Sequence, residues 1–532
     1  MTKARLIDGK DGESTPPLAL YGALLAIVLL SLAMRLPFLS APLSADEGGY
    51  AYVAYWWSRG EALYRTVWID RPQGIFLIYA LGMKLVGEST EAIRLFGALY
   101  SSVTCIFVYL VGARVLGRSI GALSSLFFVL MSAHPIVEGF IPNGELYMAL
   151  PVTISAFLLF RGYGRERTFL WLMGAGVAAG AAFMMKQSGI VALFFALSYV
   201  LIQWKSSGGG DVRRLMKEIG AVMVGFAMVF GPALAHGLSL VSVDYLRFLT
   251  HYGWTGVSFW SDHPLRQLVV FLSRFIIVAP AWSFFFLGGW WAFVLGARNR
   301  YLYLWLFWSV AGMAIGGNWY VHYYIQIAPP LSILAAQGVL ALLLRRRDSR
   351  SMAFATWAMA AMAVFFVANL GYYYLAPSAD ERLFKLQKEP RFLVQRDIVQ
   401  YLHSNTPEDA TIYLAYSGAD ITYLSHRLSA IKYLYLRALL HVPGAIEETL
   451  AIMADPSRRP DYIVADSSQL EIPLGPGDNR FLEALDEYYV REITYQVPKD
   501  TTVVEFYIYR SITSQTSHVV RDVEPAVKGG SQ

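Results

Sequence analysis

Apolar residues run along this chain in blocks of about twenty, separated by short turns in which the charges collect. Eleven blocks, at about 18–39, 92–113, 119–137, 143–160, 169–185, 189–204, 219–241, 265–296, 301–317, 323–344 and 352–375, read as membrane helices, since about 18 apolar residues span a bilayer. A further stretch, 75–87, is apolar but only about 13 residues long, which suits an interfacial helix better than a span. With the N-terminus inside, Arg114 and Arg118, Arg161, Arg165 and Arg167, Lys205 to Lys217, Arg298 and Arg300, and Arg345-Arg346-Arg347 all fall in cytoplasmic turns, as the positive-inside pattern requires. An odd count places the C-terminal region outside. Counting 75–87 as a span would reverse every later turn. The block 265–296 carries Arg266 and Arg274, so its first part is expected along the outer surface, with the span beginning near Phe275.

From about Ala376 the pattern shortens. Pro390 precedes an amphipathic stretch with Phe392, Leu393, Ile398, Val399 and Leu402 at helical spacing. Strand-like runs follow at T-I-Y-L-A-Y, D-Y-I-V-A-D and T-V-V-E-F-Y-I-Y, alternating with helical patterns. The expected organisation is a membrane domain over 1–375 and a small extracytoplasmic α/β domain over 376–532 with a loose tail. The N-terminal block is too long for a signal-peptide core and reads as a retained anchor.

Composition supports this class. The chain is 56% hydrophobic and 16% charged, against roughly a quarter charged in soluble domains, so the fold class is a polytopic α-helical membrane protein. The net charge of +5 is modest. Because the arginines sit in turns, they speak for topology and against nucleic acid as a partner. Cys105 is the only cysteine, which excludes an intrachain disulfide and a cysteine metal cluster.

The candidate chemistry lies in the loop 40–74, outside on this topology. It carries Asp46 and Glu47, an aromatic run beginning at Tyr50, and Arg71 before Pro72. A second outer loop carries Glu138 and Glu145, and Lys186 ends the fifth block. Ionisable groups near a membrane cost up to about 2.5–3.5 kcal/mol at its centre and are functional candidates for that reason. Arginine suits a phosphate through its planar fork. Trp254 and Trp260 could stack on a sugar or prenyl chain, or belong to an interfacial aromatic belt. His322, with Tyr323 beside it, stands at a helix end as a further candidate for a phosphate. No nucleotide-binding motif is present. An outer-facing transferase would therefore need an activated donor embedded in the membrane, such as a polyprenyl-phosphate sugar.

The S-A-D-E-G-G-Y loop, D-R-P-Q-G, E-A-I-R-L-F-G-A-L, M-K-Q-S-G-I, H-Y-Y-I-Q-I-A-P-P-L and the C-terminal L-S-H-R-L-S-A together resemble the GT-C glycosyltransferases. The similarity is to the aminoarabinose-transferase-like enzymes and the protein O-mannosyltransferases of glycosyltransferase family 39 type. The resemblance implies a GT-C fold and inverting transfer from a polyprenyl-phosphate-linked sugar to a lipid, glycan or protein acceptor in the cell membrane. It implies Asp46 as general base and Arg71 and Lys186 on the donor phosphate, with His322 and Tyr323 near it. Glu47 and Glu145 would position hydroxyls, and Tyr50, Trp254 and Trp260 would contact sugar or acceptor. Two departures stand out: Q-G follows Arg71-Pro72 where many relatives have a second proline, and the second loop reads N-G-E. No D-x-D occurs in the first loop, so no metal or other cofactor is expected. A transporter of lipid-linked sugars, or a non-catalytic binder of them, is the alternative.

Overall fold

The computed structural model describes residues 17–250, 264–296, 299–345, 350–376, 378–415, 418–470, 474, 478–499, 502–513 and 521–522. They form two compact units: Met1–Leu39, Asp70–Ile75 and Gly82–Ala376 make the first, and Ser40–Ile69, Phe76–Leu81 and Pro377–Gln532 the second. The composition break near Ala376 thus coincides with a unit boundary. The acidic stretch, expected with the membrane helices, groups instead with C-terminal residues. Its partners lie more than 350 positions away, for example Gln395 against Leu43, and contacts at that separation leave no local trace in composition.

In chain order the first elements are α1 (Pro17–Ala33), α2 (Ala45–Trp57), α3 (Gln73–Val86), α4 (Thr90–Leu116), α5 (Arg118–Ser132), α6 (Gly144–Gly162), α7 (Thr168–Met185), α8 (Val191–Ser206) and α9 (Val212–Val241). Helices Pro264–Val294, Arg300–Ile315, Ala328–Arg345 and Arg350–Tyr374 follow. Among the described residues nine helices are long and apolar enough to cross a membrane, and the chain is a multi-span membrane protein. The other two expected spans are α5, with 15 residues, and Arg300–Ile315, with 16. α5 is nonetheless central: Phe127, Phe128, Val129 and Met131 lie in the main core with Trp282 and Trp305.

Two boundaries differ from expectation for clear reasons. The first helix stops at Ala33 and resumes as a single 3-10 turn over Leu36–Phe38, because Pro37 cannot continue the α-helical ladder. Arg35, in the break, is fully buried and donates to Gly139 O at 2.8 Å, to Ser31 and to the hydroxyls of Ser101 and Ser132. The segment expected to lie flat before Phe275 is instead part of one unbroken helix from Pro264 to Val294. Its apolar Leu265, Leu268, Val269, Leu272 and Ile276 are exposed, so one continuous surface of the kind lipid covers outweighs the two arginines. α3 stays short, with Leu77, Leu81 and Leu85 exposed in a single stripe.

The second unit holds a five-stranded sheet in the order β1-β2-β4-β3-β5. Its strands are β1 (Ile412–Leu414), β2 (Tyr462–Asp466), β3 (Tyr489–Lys499), β4 (Thr502–Ser511) and β5 (Arg521–Asp522). β1 and β2 are parallel, while β2 with β4 and β3 with β4 are antiparallel. The helix Arg391–Asn405 buries Val394, Ile398 and Leu402 against Ile412, Val464, Val504 and Phe506, as its apolar spacing predicts. The three expected strands are present as β1, β2 and β4. β3 escapes the sequence pattern because Arg491, Glu492 and Gln496 interrupt its apolar run.

Candidate active site

In the first unit, the short turns at helix ends gather most of the charged candidates. Asn143 caps α6, accepting from the Leu146 amide at 3.1 Å, and so fixes Glu145 in the first turn. Lys186 ends α7 in an extended conformation. The two side chains, 3% and 1% exposed, form an ion pair. The Lys186 ammonium also lies over the Tyr323 ring, 4.2 Å from its centroid, a cation–π contact that strengthens as water is excluded.

Arg71 pairs with Asp70 at 2.8 Å. The Gln187 amide donates to Asp70 O at 2.6 Å, so the segments that carry Arg71 and Lys186 are joined directly. Gly74 makes the approach possible, since a Cβ there would lie 2.6 Å from Met184 Cβ. Gln73 secures the same segment from the other side: it donates to Ala233 O at 3.0 Å and accepts from the Tyr245 hydroxyl.

His322 lies in the 3-10 segment Val321–Gln326 and meets Glu138 at 2.7 Å. Burial drives its pKa down, but the Glu138 hydrogen bond and the charges of Glu145 and Glu138 outweigh this and hold it above the ordinary histidine value. Glu138 itself adopts a left-handed conformation, φ 55°, which is uncommon for a residue with a side chain.

The acidic stretch, expected as a loop, starts a helix in the second unit. Ser44 caps α2, accepting from the Glu47 amide at 3.3 Å, while the Glu47 carboxylate accepts from the Ser44 amide at 3.0 Å. This is a capping box, and its S-x-x-E signature is visible in the sequence. Glu47 is thereby fully buried at the helix start. Asp46, one residue earlier, is half-buried. Among the described residues its carboxylate makes no hydrogen bond or ion pair. Tyr50 is buried against Tyr79, centroids 5.7 Å apart. Trp254 and Trp260 lie outside the described residues.

The structure therefore brings Arg71, Glu145, Lys186, His322 and Tyr323 into one unit and Asp46, Glu47 and Tyr50 into the other. Sequence reasoning passed over Asp70, Gln73 and Gln187. Their only signal was membership of the D-R-P-Q-G and M-K-Q-S-G motifs, in which the cations drew the attention. Among the described residues no group of three or more His, Cys, Asp or Glu side chains could hold a metal ion.

The model of the dolichyl-phosphate-mannose-protein mannosyltransferase family matches residues 70–236, the span that includes Arg71, Glu145 and Lys186. The undecaprenyl phosphate-alpha-4-amino-4-deoxy-L-arabinose arabinosyl transferase 2 of Pseudomonas fluorescens is 24% identical over 273 residues, 48% of this chain and 43% of the relative. The match thus spans less than half of that relative's length. The structure of ArnT from Cupriavidus metallidurans bound to undecaprenyl phosphate superposes over 92% of this chain and 98% of that one, with a TM-score of 0.55 at 14% identity. An oligosaccharyltransferase of Archaeoglobus fulgidus tethered with an acceptor peptide gives the same TM-score, 0.55, over 92% and 74% of the two chains at 14% identity. With its membrane helices followed by a sheet-containing C-terminal region, the chain has the fold of these two solved proteins.

Proposed function

We propose that this protein is an inverting glycosyltransferase that moves a sugar from a polyprenyl-phosphate donor to an acceptor hydroxyl at the outer face of the cell membrane. The observation that carries the reading is the hydrogen bond from the Gln187 side chain to the Asp70 carbonyl, which ties the residue after Lys186 to the residue before Arg71. Two cations on joined segments form a grip for one phosphate. The similar protein solved with undecaprenyl phosphate supports that choice of anion.

In the reaction the acceptor oxygen attacks the anomeric carbon and the bond from that carbon to the phosphate oxygen breaks. The electron pair leaves on the polyprenyl phosphate. Arg71 and Lys186 stabilise the charge that grows there. Asp46 takes the proton of the attacking hydroxyl, a role that its half-exposed carboxylate, without a described partner, leaves it able to fill. Glu145 and the Tyr323 ring hold the Lys186 ammonium in place, and His322 with Glu138 flanks it. Glu47 secures the start of the helix that presents Asp46. No cofactor enters this scheme.

The acceptor is a lipid, a glycan or a protein side chain; the similar oligosaccharyltransferase is tethered with an acceptor peptide. The basic turns support an N-terminus on the cytoplasmic side and a C-terminal unit outside.

Purified protein in lipid, given a radiolabelled panel of polyprenyl-phosphate sugars and membrane extract as acceptor source, should release polyprenyl phosphate. Asp46→Asn should abolish release while donor binding survives, and Arg71→Ala should weaken donor binding. Unchanged release from Asp46→Asn would place the base elsewhere. Donor crossing the bilayer without release would make the protein a transporter.

A further inference from the structure

One face of α2 is bound along its whole length by the segment 418–435. The Tyr435 hydroxyl donates to Ala45 O at 2.9 Å. A Cβ on Gly48 would lie 2.3 Å from Asp420 Cα, and one on Gly49 would lie 2.0 Å from the Tyr435 hydroxyl oxygen. The Tyr52 hydroxyl accepts from the Ser429 amide at 2.9 Å, and the Tyr55 hydroxyl bonds His426 Nδ1 at 3.0 Å. Positions 45, 48, 49, 52 and 55 are one helical face, so the Gly-Gly pair after the two carboxylates exists for this contact. Asp46, about 100° around the helix from Ala45, is turned off that face.

The start of α2 is held as firmly as its length. Gln395 pairs with the backbone of Leu43 as a neighbouring strand would: its Oε1 accepts from Leu43 N at 3.0 Å and its Nε2 donates to Leu43 O at 2.9 Å. The remaining amide hydrogen goes to Asp420. An ionised carboxylate can only accept, so Asp420 dictates which way the Gln395 amide faces. Arg391 stands 3.3 Å from Asp420 and 2.7 Å from Glu389. Gln395, Asp420 and Arg391 are all nearly or wholly buried. This polar network costs desolvation, and the proposed chemistry does not use it directly.

We infer that Gln395, Asp420 and Tyr435 are positioning residues for the general base: the C-terminal region fixes the first turn of α2, and with it the Asp46 carboxylate, against the attacking hydroxyl. The inference rests on the reading of Asp46 given above. A base displaced by about 1 Å loses on the order of a hundredfold in rate, whereas donor affinity depends on other residues.

The test uses the full chain in lipid nanodiscs, with Gln395→Met, Tyr435→Phe and Asp46→Asn. Gln395→Met keeps the side-chain length and removes the paired bonds; Tyr435→Phe removes one hydroxyl. Each should lower kcat by roughly 10- to 100-fold with the donor KM within about twofold, and amide hydrogen exchange over 43–50 should accelerate while thermal unfolding confirms a folded protein. Folded variants with wild-type kcat would overturn the inference, whether or not exchange rises. Loss of donor affinity in parallel with kcat would overturn it too, because the network would then be general scaffold. If Asp46→Asn retains turnover, or wild type turns over no donor, the underlying reading fails and takes the inference with it. Asp46→Asn inactive beside a fully active Gln395→Met refutes the positioning role alone.

Discussion

Lys186 and Glu145 are each at most 3% exposed, so neither charge has water to fall back on. Removing one partner of such a pair costs about 3–5 kcal/mol, while replacing both with apolar groups is often close to neutral. Glu145→Leu and Lys186→Met should each lower the thermal midpoint in detergent by several degrees, and the double variant should recover most of that loss while remaining inactive. Recovery of activity in the double variant would remove Lys186 from the donor site. His322 adds a pH dependence. Its folded pKa is raised, so the contact with Glu138 contributes fully below the ordinary value of about 6.5 and is lost as pH rises through the folded value. The stability difference between wild type and His322→Gln should therefore be larger at pH 6 than at pH 8.5, and a constant difference across that range would refute the assignment. These residues were legible as candidates because charge is rare in so apolar a chain. Their pairing was not, since Glu145 and Lys186 are 41 positions apart and His322 and Glu138 are 184 apart.

Among elements, α2 is the one whose start matters most. Ser44→Ala removes the cap and should cost about 1 kcal/mol, read as faster amide exchange at 45–48. Glu47→Gln can still close a capping box, which accepts either side chain. It should keep α2 ordered and retain most turnover, unlike Asp46→Asn; equal inactivity of the two would make Glu47 a second catalytic carboxylate. Gly48→Ala has no such tolerance, because the added carbon would meet Asp420 backbone at 2.3 Å, and loss of expression or of turnover is the expected result. The sequence shows the capping signature and the paired glycines plainly. What it hides is the partner: the five contact positions of α2, Ala45, Gly48, Gly49, Tyr52 and Tyr55, do not name residues 418–435 as what is laid against them. Apolar period likewise located the long helices well, and Pro37 marks the break after Ala33; what no local pattern encodes is where the buried Arg35 finds its acceptors.

For the whole molecule, hydropathy delivered the membrane helices and composition delivered the sheet-containing region; what neither could deliver was that residues 40–69 belong with the latter. Orientation can be read directly, because Cys105 is buried and an introduced surface thiol would be the reactive one. In intact cells a membrane-impermeant maleimide should label Asp486→Cys and spare Ser207→Cys, and the reverse pattern would invert the proposed topology. The shared unit also sets an order of events in biosynthesis. Leu43 leaves the ribosome 352 residues before Gln395, a wait of roughly 20–70 s at about 5–20 residues per second. Throughout that interval the helix bearing Asp46 lacks the strand-like clasp that completes it. A nascent chain stalled between Leu375 and Tyr435 would thus already hold its bilayer segments and the cations proposed to grip phosphate, yet remain chemically silent. Catalytic competence would arrive late in translation, so that a partly made enzyme cannot spend lipid-linked sugar.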